Sequence, residues 1–472
     1  MYFRLCDNIA LRSWKFVPRA YYVKNDPYAK GLEQEEFDLL LLCDGEHDIE
    51  DGETLRDLVS RGLAEPCQKG EKPLEWSQYK RFPHRYFPMM NFMITGKCNY
   101  NCLHCFNAAD NAPLMTEWKY EDALNLLDQA RDCGIVGFTI TGGEPMLHPH
   151  FMDIVRAIYE RDMFIRELNT NGYFITQQVL DEFKRLGSDP LIKISFDGIG
   201  CHDWMRDRKG AEERTLTAME LCIKNGFKVM SQTQVHKKNL HTLIPTARRL
   251  NDMGVSTLRL IRTTEAPRWE KNSPGSCLTF EEYYAAMLDF MNEYKDSGMD
   301  MDIIVWQFMY AEPKRKSYSL EAVPNPEGNY KPTDVMCKGI RGLIGVTSAG
   351  DIVPCLQMSG YFEENDIHLG NLHRTPLRDL LTDSDYMKIV CSNLHKRRKN
   401  NQKCAECKYF RYCLGGCPAL GGLYSPERLD LFGTDITKCL FYENGWYEKT
   451  VGTMRGWTNS SRIDDFERDQ IK

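Results

Sequence analysis

"FMITGKCNYNCLHCFN", residues 92–107, is an apolar strand-like run that empties into a loop carrying Cys98, Cys102 and Cys105. The cysteines are separated by three residues and then by two. Four thiolates close a tetrahedral zinc or iron centre. Three leave one position vacant. A loop this short can wrap a cubane iron–sulfur cluster and expose one iron to an outside ligand. Zinc is the alternative reading.

Outward from this run, strand-like and helix-like segments alternate from about 90 to 310. "YEDALNLLDQARDCG" reads as a helix and "IVGFTITGGEP" as a strand; "HFMDIVRAIYERD" and "IRELNTNG" repeat the pair. "TQQVLDEFKRLG", "LIKISFDG", "ERTLTAMELCIKNG", "FKVMSQTQVHK", "LHTLIPTARRLNDMG" and "STLRLIRTT" continue it. About six strand–helix units predict a parallel sheet with helical crossovers, closed into a complete or partial barrel. Chemistry in such barrels sits at the C-terminal ends of the strands. Cys98, Gly142, Asn171 and Asp197 all follow strand-like runs, so all are expected on one rim.

The flanks differ in texture. Residues 1–82 begin with aromatic, β-rich runs and continue into two short helical patterns, ending at Gly45 and near Gly62, which predicts a small winged-helix-like module. Residues 311–335, rich in Pro and polar side chains, read as a linker. Residues 336–448 hold cysteines and glycines with little periodicity, and bound metal centres would supply the missing stability. Residues 449–472 read as a last helix or tail. The 472-residue chain is 42% hydrophobic and 27% charged, with net charge −7, which argues for a globular protein and against a nucleic-acid-wrapping surface. No signal peptide and no run of eighteen apolar residues is evident, so no membrane association and a cytoplasmic location are expected. Eighteen cysteines in a reducing compartment point to cluster ligation rather than disulfides.

"TGGEP", Thr141 to Pro145, lies forty residues beyond the cysteine loop at the end of the next strand. Adjacent glycines Gly142 and Gly143 allow close backbone approach, and Glu144 can accept hydrogen bonds from an ammonium group. The pair of motifs resembles the radical S-adenosylmethionine superfamily. The resemblance implies that the exposed iron chelates the amine and carboxylate of S-adenosylmethionine, with the stretch ending at Pro145 helping to hold the amine. It further implies reductive cleavage to methionine and a 5′-deoxyadenosyl radical that abstracts a hydrogen atom. By position, His104 matches the ring near the adenine, Ser195 the ribose contact and Arg206 the carboxylate contact. Asn171 (in "NTNG") and Val235 match further rim positions.

The C-terminal cysteines Cys337, Cys355, Cys404, Cys407, Cys413, Cys417 and Cys439 resemble the SPASM extension of radical enzymes, which carries two auxiliary 4Fe–4S clusters. That resemblance implies three clusters in all. Cys404, Cys407, Cys413 and Cys439 would hold the outer auxiliary cluster; Cys337, Cys355 and Cys417 would hold the inner one. The inner set is one ligand short. Lys331 stands where some relatives have a further cysteine, and Cys391 or Cys277 could fill in; otherwise an iron stays open for a substrate thiolate. Residues 1–82 resemble the peptide chaperone of pyrroloquinoline quinone biosynthesis, a module that takes a leader peptide as an added strand. The implied substrate is a ribosomally made precursor peptide, and the implied reductant a flavodoxin or ferredoxin. An open inner cluster suits thioether formation. The rivals are carbon–carbon cross-linking and epimerisation, the latter with Cys201 as hydrogen donor. A cluster-bearing, peptide-binding redox sensor is the non-enzyme alternative.

Overall fold

The computed structural model describes residues 1–105, 115–265, 267–359, 362, 365–424 and 431–463. Phe106 and Asn107 of the opening stretch, and the tail from 464, lie outside them.

The N-terminal module contains β1 (Phe3–Leu5), β2 (Ile9–Trp14), β3 (Val17–Val23), β4 (Lys30–Gly31), α1 (Gln34–Leu42), α2 (Glu53–Ser60), β5 (Ala64–Pro66) and β6 (Lys80–Arg81). Its sheet runs β4–β3–β2–β6, and β1 pairs with β5. Phe3, Leu11, Phe37, Leu40, Leu55 and Leu58 form a core of its own. A second cluster, Trp14, Tyr22, Trp76 and Phe82, reaches Val136 of the barrel. Gly134 has to be glycine there, since a Cβ would stand 2.6 Å from the Phe82 ring. Lys24 pairs with Asp162 at 3.1 Å. Both contacts fall where barrel strands begin, so the module docks at the end opposite the cysteine rim.

The barrel strands are β7 (Met89–Thr95), β8 (Gly137–Gly142), β9 (Phe164–Thr170), β10 (Leu191–Ser195), β11 (Val229–Val235), β12 (Thr257–Arg262) and β13 (Asp302–Val305). Each pairs in parallel with the next. β7 is apolar on both faces because helices cover one side and the barrel interior the other. The crossovers are α3 (Tyr120–Asp132), α4 (Phe151–Tyr159), α5 (Gln177–Arg185), α6 (His202–Arg206) with α7 (Ala211–Lys224), α8 (Leu243–Met253), and α9 (Pro267–Asn272) with α10 (Phe280–Lys295). Start signals are explicit: Thr176 caps α5, and Thr279 with Glu282 closes a capping box on α10. Gly254, at φ +87°, ends α8 in the left-handed conformation. The six strand–helix units expected from the sequence are β7 to β12 with their helices, and β13 adds a seventh parallel strand.

The 311–335 segment departs from its reading as a linker. β14 (Met309–Glu312) and β15 (Ser317–Leu320) form an antiparallel hairpin on β13. Met309 and Ala311 are buried and alternate with half-buried neighbours, a pattern mirrored by Tyr318 and Leu320 across the turn at Pro313–Arg315. The 336–448 region likewise adds two strands to the same sheet. After α11 (Lys338–Gly342), β16 (Leu343–Val346) lies parallel to β7 and antiparallel to β17 (Ile352–Val353). The 449–463 stretch carries the end of a helix, Trp446–Thr453, and β18 (Thr458–Asn459), which joins β15. Among the described residues, no helix is long and apolar enough to cross a membrane.

Candidate active site

The cysteine loop leaves β7 and is held from three sides. Gly143 N–H donates to the Thr95 carbonyl and Glu144 N–H to the Lys97 carbonyl, both at 2.8 Å. Leu103 N–H donates to the Met205 carbonyl at 3.0 Å, tying the loop to α6. A Cβ on Gly142 would stand 2.4 Å from the Thr95 oxygen, and one on Gly143 would stand 2.3 Å from the Lys97 oxygen. The two glycines therefore admit the cysteine loop's own backbone, a closer neighbour than the ligand expected from sequence.

Glu144 is fully buried. Its carboxylate accepts from Thr170 Oγ1 at 2.9 Å, from Asn171 N–H at 2.8 Å and from Met146 N–H at 3.3 Å. Burial pushes its pKa up to about 7 against these three donors. Glu144 thus fastens the end of β9 to the cysteine loop, a role not read from the motif. Pro145, buried, starts the one-turn helix Pro145–Leu147. Asn171 Nδ2 donates to Asn99 Oδ1 at 2.8 Å and lies 3.9 Å from Cys98 Sγ.

Arg206, expected at a cofactor carboxylate, is engaged within the protein. Its Nε stands 2.7 Å from Asp197 Oδ2, and its Nη1 3.5 Å from Cys102 Sγ. Asp197 is fully buried; burial opposes its ionisation, but the Arg206 charge prevails and holds the carboxyl well below the usual range. A carboxylate buried this completely needs a fixed cation, which Arg206 supplies, and His202 Nδ1 stands 3.4 Å from the same oxygen. Ser195 ends β10, half-buried, opposite Gln232 of β11. Val235 ends β11 inside the apolar core. His104 is half-buried, and burial and Arg206 push its pKa down to about 3.

Several rim groups were not read from the sequence. His236 follows β11, is fully buried, and neither ring nitrogen has a hydrogen-bond partner among the described residues. Its ring lies 5.1 Å from that of Trp269 and 5.7 Å from that of Trp204. His104 Nδ1 and Trp269 Nε1 are also buried and unpartnered. Orphaned donors and acceptors are what a ligand with ring nitrogens and hydroxyls would satisfy. Nothing in local sequence marks His236; only its place one residue past a barrel strand could have.

The C-terminal cysteines fall into two sets. Cys404, Cys407, Cys413 and Cys439 line one small cavity. Cys355 and Cys417 pack on one apolar cluster with Met358 and Phe362, and Cys337 lies close enough to both to act on their ionisation. Burial raises the thiols of Cys98, Cys413 and Cys417 to about 12 and that of Cys439 to about 11. Iron binds the thiolate form, and the fit rests on the donor sets themselves, four cysteines round one cavity and three on one short loop. Asp435, also missed in the sequence, accepts from Cys417 N–H at 2.8 Å and caps the helix Ile436–Glu443 that bears Cys439. Cys391 sits beside Arg341, and Cys277 Sγ lies 3.5 Å from the Thr263 carbonyl.

Residues 92–250 match the radical SAM superfamily model, and residues 337–408 match SPASM, an iron–sulfur cluster-binding domain. The chain is a radical SAM protein with a SPASM domain. An AdoMet-dependent heme synthase of Methanosarcina barkeri (strain Fusaro / DSM 804) is 26% identical over 325 residues, 68% of this chain and 88% of its own. The antilisterial bacteriocin subtilosin biosynthesis protein AlbA of Bacillus subtilis (strain 168) is 28% identical over 173 residues, 36% of this chain and 38% of its own. The crystal structure of Streptococcus suis SuiB bound to precursor peptide SuiA superposes with TM-score 0.64 at 15% identity, covering 91% of this chain and 98% of that one. In the radical SAM domain, S-adenosylmethionine and a 4Fe–4S cluster are the implied cofactors, and SPASM implies auxiliary iron–sulfur clusters. When bound, they supply one-electron reductive cleavage of the sulfonium and hydrogen-atom abstraction. The chain's own part is to present three thiols from one loop, to lock that loop to β8 and β9 through Gly143 and Glu144, and to neutralise Arg206 with Asp197.

Proposed function

We propose that this radical SAM protein modifies a ribosomally made precursor peptide. The observation that carries the reading is the module at 1–82, a folded unit with its own core and a fully exposed two-residue edge strand, β4. An open sheet edge can take up an extended peptide as a further strand. The fold shared with SuiB, and the relatedness to AlbA, support the same class of substrate. Three clusters fit the cysteines: one on Cys98, Cys102 and Cys105, an inner one on Cys337, Cys355 and Cys417, and an outer one on Cys404, Cys407, Cys413 and Cys439. Ser195, Arg206, His104, Asn171 and Val235 form the surround of the S-adenosylmethionine site. A flavodoxin or ferredoxin is the reductant.

Thioether formation is the specific chemistry we favour. Three inner cysteines leave one position for a substrate thiolate; after hydrogen abstraction from a peptide carbon, the sulfur would bond to that carbon and the one electron released would pass to the inner cluster. The second reading is tetrapyrrole chemistry, favoured by the match to a heme synthase over most of that protein's length.

Anaerobic turnover of the reduced holoenzyme with a co-encoded Cys-containing peptide, followed by thiol alkylation and mass spectrometry, separates these. A loss of two hydrogens with one cysteine shielded from alkylation supports the thioether. The same loss with every cysteine alkylated overturns it in favour of a carbon–carbon link. An unchanged peptide, with consumption of an iron porphyrin instead, establishes the second reading.

A further inference from the structure

Two buried cations stand at the outer cysteine set with only neutral partners. Arg397, on the helix Leu394–Lys399, is fully buried. Its Nη1 donates to the Gly416 carbonyl and its Nη2 to the Gly433 carbonyl, each at 3.1 Å. Its Nε is buried and, among the described residues, has no carbonyl or carboxylate partner, while the guanidinium acts on the Cys404 thiol. Gly415, at φ +81°, is glycine because a Cβ would stand 2.3 Å from that Nε. Lys438, one residue before Cys439, is 3% exposed, and its Nζ donates to the Gln307 carbonyl at 2.5 Å. Among the described residues, neither is in an ion pair. Lys403, which lines the same cavity, is answered by Glu443 at 3.3 Å.

Carbonyl oxygens solvate a cation but do not cancel its charge, and an uncompensated buried charge is strongly destabilising. The Asp435 carboxylate lines the same cavity and answers at most one of the two cations, so the outer set keeps a net positive surround. Arg397's charge acts on Cys404 and Cys413, drawing both thiols down against the burial that raises them. Lys438 lines the cavity ringed by all four cysteines. A cubane held by four thiolates is a net anion and gains one more negative charge on reduction. The same Asp435 carboxylate holds Cys417 N–H at the inner set, where it is the side-chain charge that acts most on that thiol.

We propose that Arg397 and Lys438 are the countercharge of the outer cluster and place its reduction potential above that of the inner cluster. The inference rests on the three-cluster reading. It sets a direction for one electron: the reduced inner cluster is oxidised, the oxidised outer cluster is reduced, and no bond or proton changes hands. Net charge and hydrogen bonding are the terms that move such potentials.

The test is a mediated redox titration of the anaerobically reconstituted full-length protein, followed by electron paramagnetic resonance, for wild type, R397K, R397M and K438M. In wild type the outer signal should titrate above the inner one. R397M should cut the reduced-to-oxidised ratio of the outer cluster at fixed potential at least tenfold, which is about 59 mV for a one-electron couple. R397K should hold the wild-type value, and K438M should shift the same signal downward. The potential of the Cys98–Cys102–Cys105 cluster should not move. If R397M fails to retain outer iron, K438M and R397K decide. An outer potential unmoved by K438M, or one below the inner potential in wild type, overturns the proposal. The titration needs no peptide, so its outcome is independent of the substrate. Iron for a single cluster would overturn the three-cluster reading instead.

Discussion

Gly143→Ala is the smallest change that should empty the radical site while sparing the rest of the protein. A Cβ at 143 would lie 2.3 Å from the Lys97 oxygen and 2.5 Å from the Gly96 oxygen, both backbone atoms. Side-chain rotation gives no relief, so the cysteine loop must retreat by roughly 0.7–1.1 Å to restore an ordinary contact. The retreat strains the 2.8 Å bonds Gly143 N–H to Thr95 O and Glu144 N–H to Lys97 O. Overpacking costs about 1–3 kcal/mol and each weakened bond about 1 kcal/mol, so the local loss is about 3–5 kcal/mol. That is enough to prise Cys98 from its place beside Asn171. The assay is iron content and the electron paramagnetic resonance spectrum after anaerobic reconstitution, with S-adenosylmethionine cleavage as the functional readout. Gly143→Ala should lose the iron of one cluster and most cleavage, with the auxiliary signals retained. Gly452→Ala, in the helix Trp446–Thr453 with nothing within 4 Å of its added methyl, should match wild type or gain slightly in stability. Full iron and wild-type cleavage in Gly143→Ala would refute the claim that these glycines exist to seat the loop.

Other consequences are equally direct. Burial lowers the pKa of His236 to about 4, below its unfolded value of 6.5, so the native state stays neutral where the unfolded chain takes up a proton. Its contribution is therefore complete above pH 6.5 and is lost as pH falls toward 4, by about 2 kcal/mol between pH 6.5 and 5. The thermal midpoint of His236→Gln should fall less than that of wild type between pH 7 and pH 5; parallel pH profiles would contradict this. Removing iron with a chelator should raise amide exchange across residues 337–443, where helices run only four to eight residues, and leave α4 protected. A peptide held at the module must traverse the barrel from strand start to strand end, about 23 Å along the seven residues of β9. Precursor variants with fewer than about seven residues between leader and modified residue should not turn over, as peptide mass spectrometry would show.

Much of this was legible in sequence because it is local. The helices of the barrel announce themselves by apolar spacing and caps, as in "FMDIVRAIY", which buries Phe151, Ile154, Val155 and Ile158. β13 to β16 are four residues each, too short for a period to register, and Pro313 disguised the β14–β15 hairpin as a linker. β16 pairs with β7 across more than 250 residues, a contact no local pattern encodes. The resemblance to SPASM proteins implied the grouping of the cysteines, whereas Asp435, Arg397 and Lys438 could not be found that way, because their significance lies in three-dimensional contacts that no motif marks. Glu144 and Arg206 were found from the motifs, but their protein partners, Thr170 and Asn171 for the one and Asp197 for the other, were not, because a motif does not say what a residue braces.

The central claim, that the Cys98–Cys102–Cys105 loop makes this protein a radical S-adenosylmethionine enzyme acting on peptide, is tested most directly by one measurement. The reduced, anaerobic holoenzyme is incubated with S-adenosylmethionine, with and without the precursor peptide, beside the Cys102→Ser variant, and 5′-deoxyadenosine is quantified. Wild type should release it, several-fold faster with peptide present, and Cys102→Ser should release none. No 5′-deoxyadenosine from an iron-replete wild type, or equal release by the variant, would contradict the account.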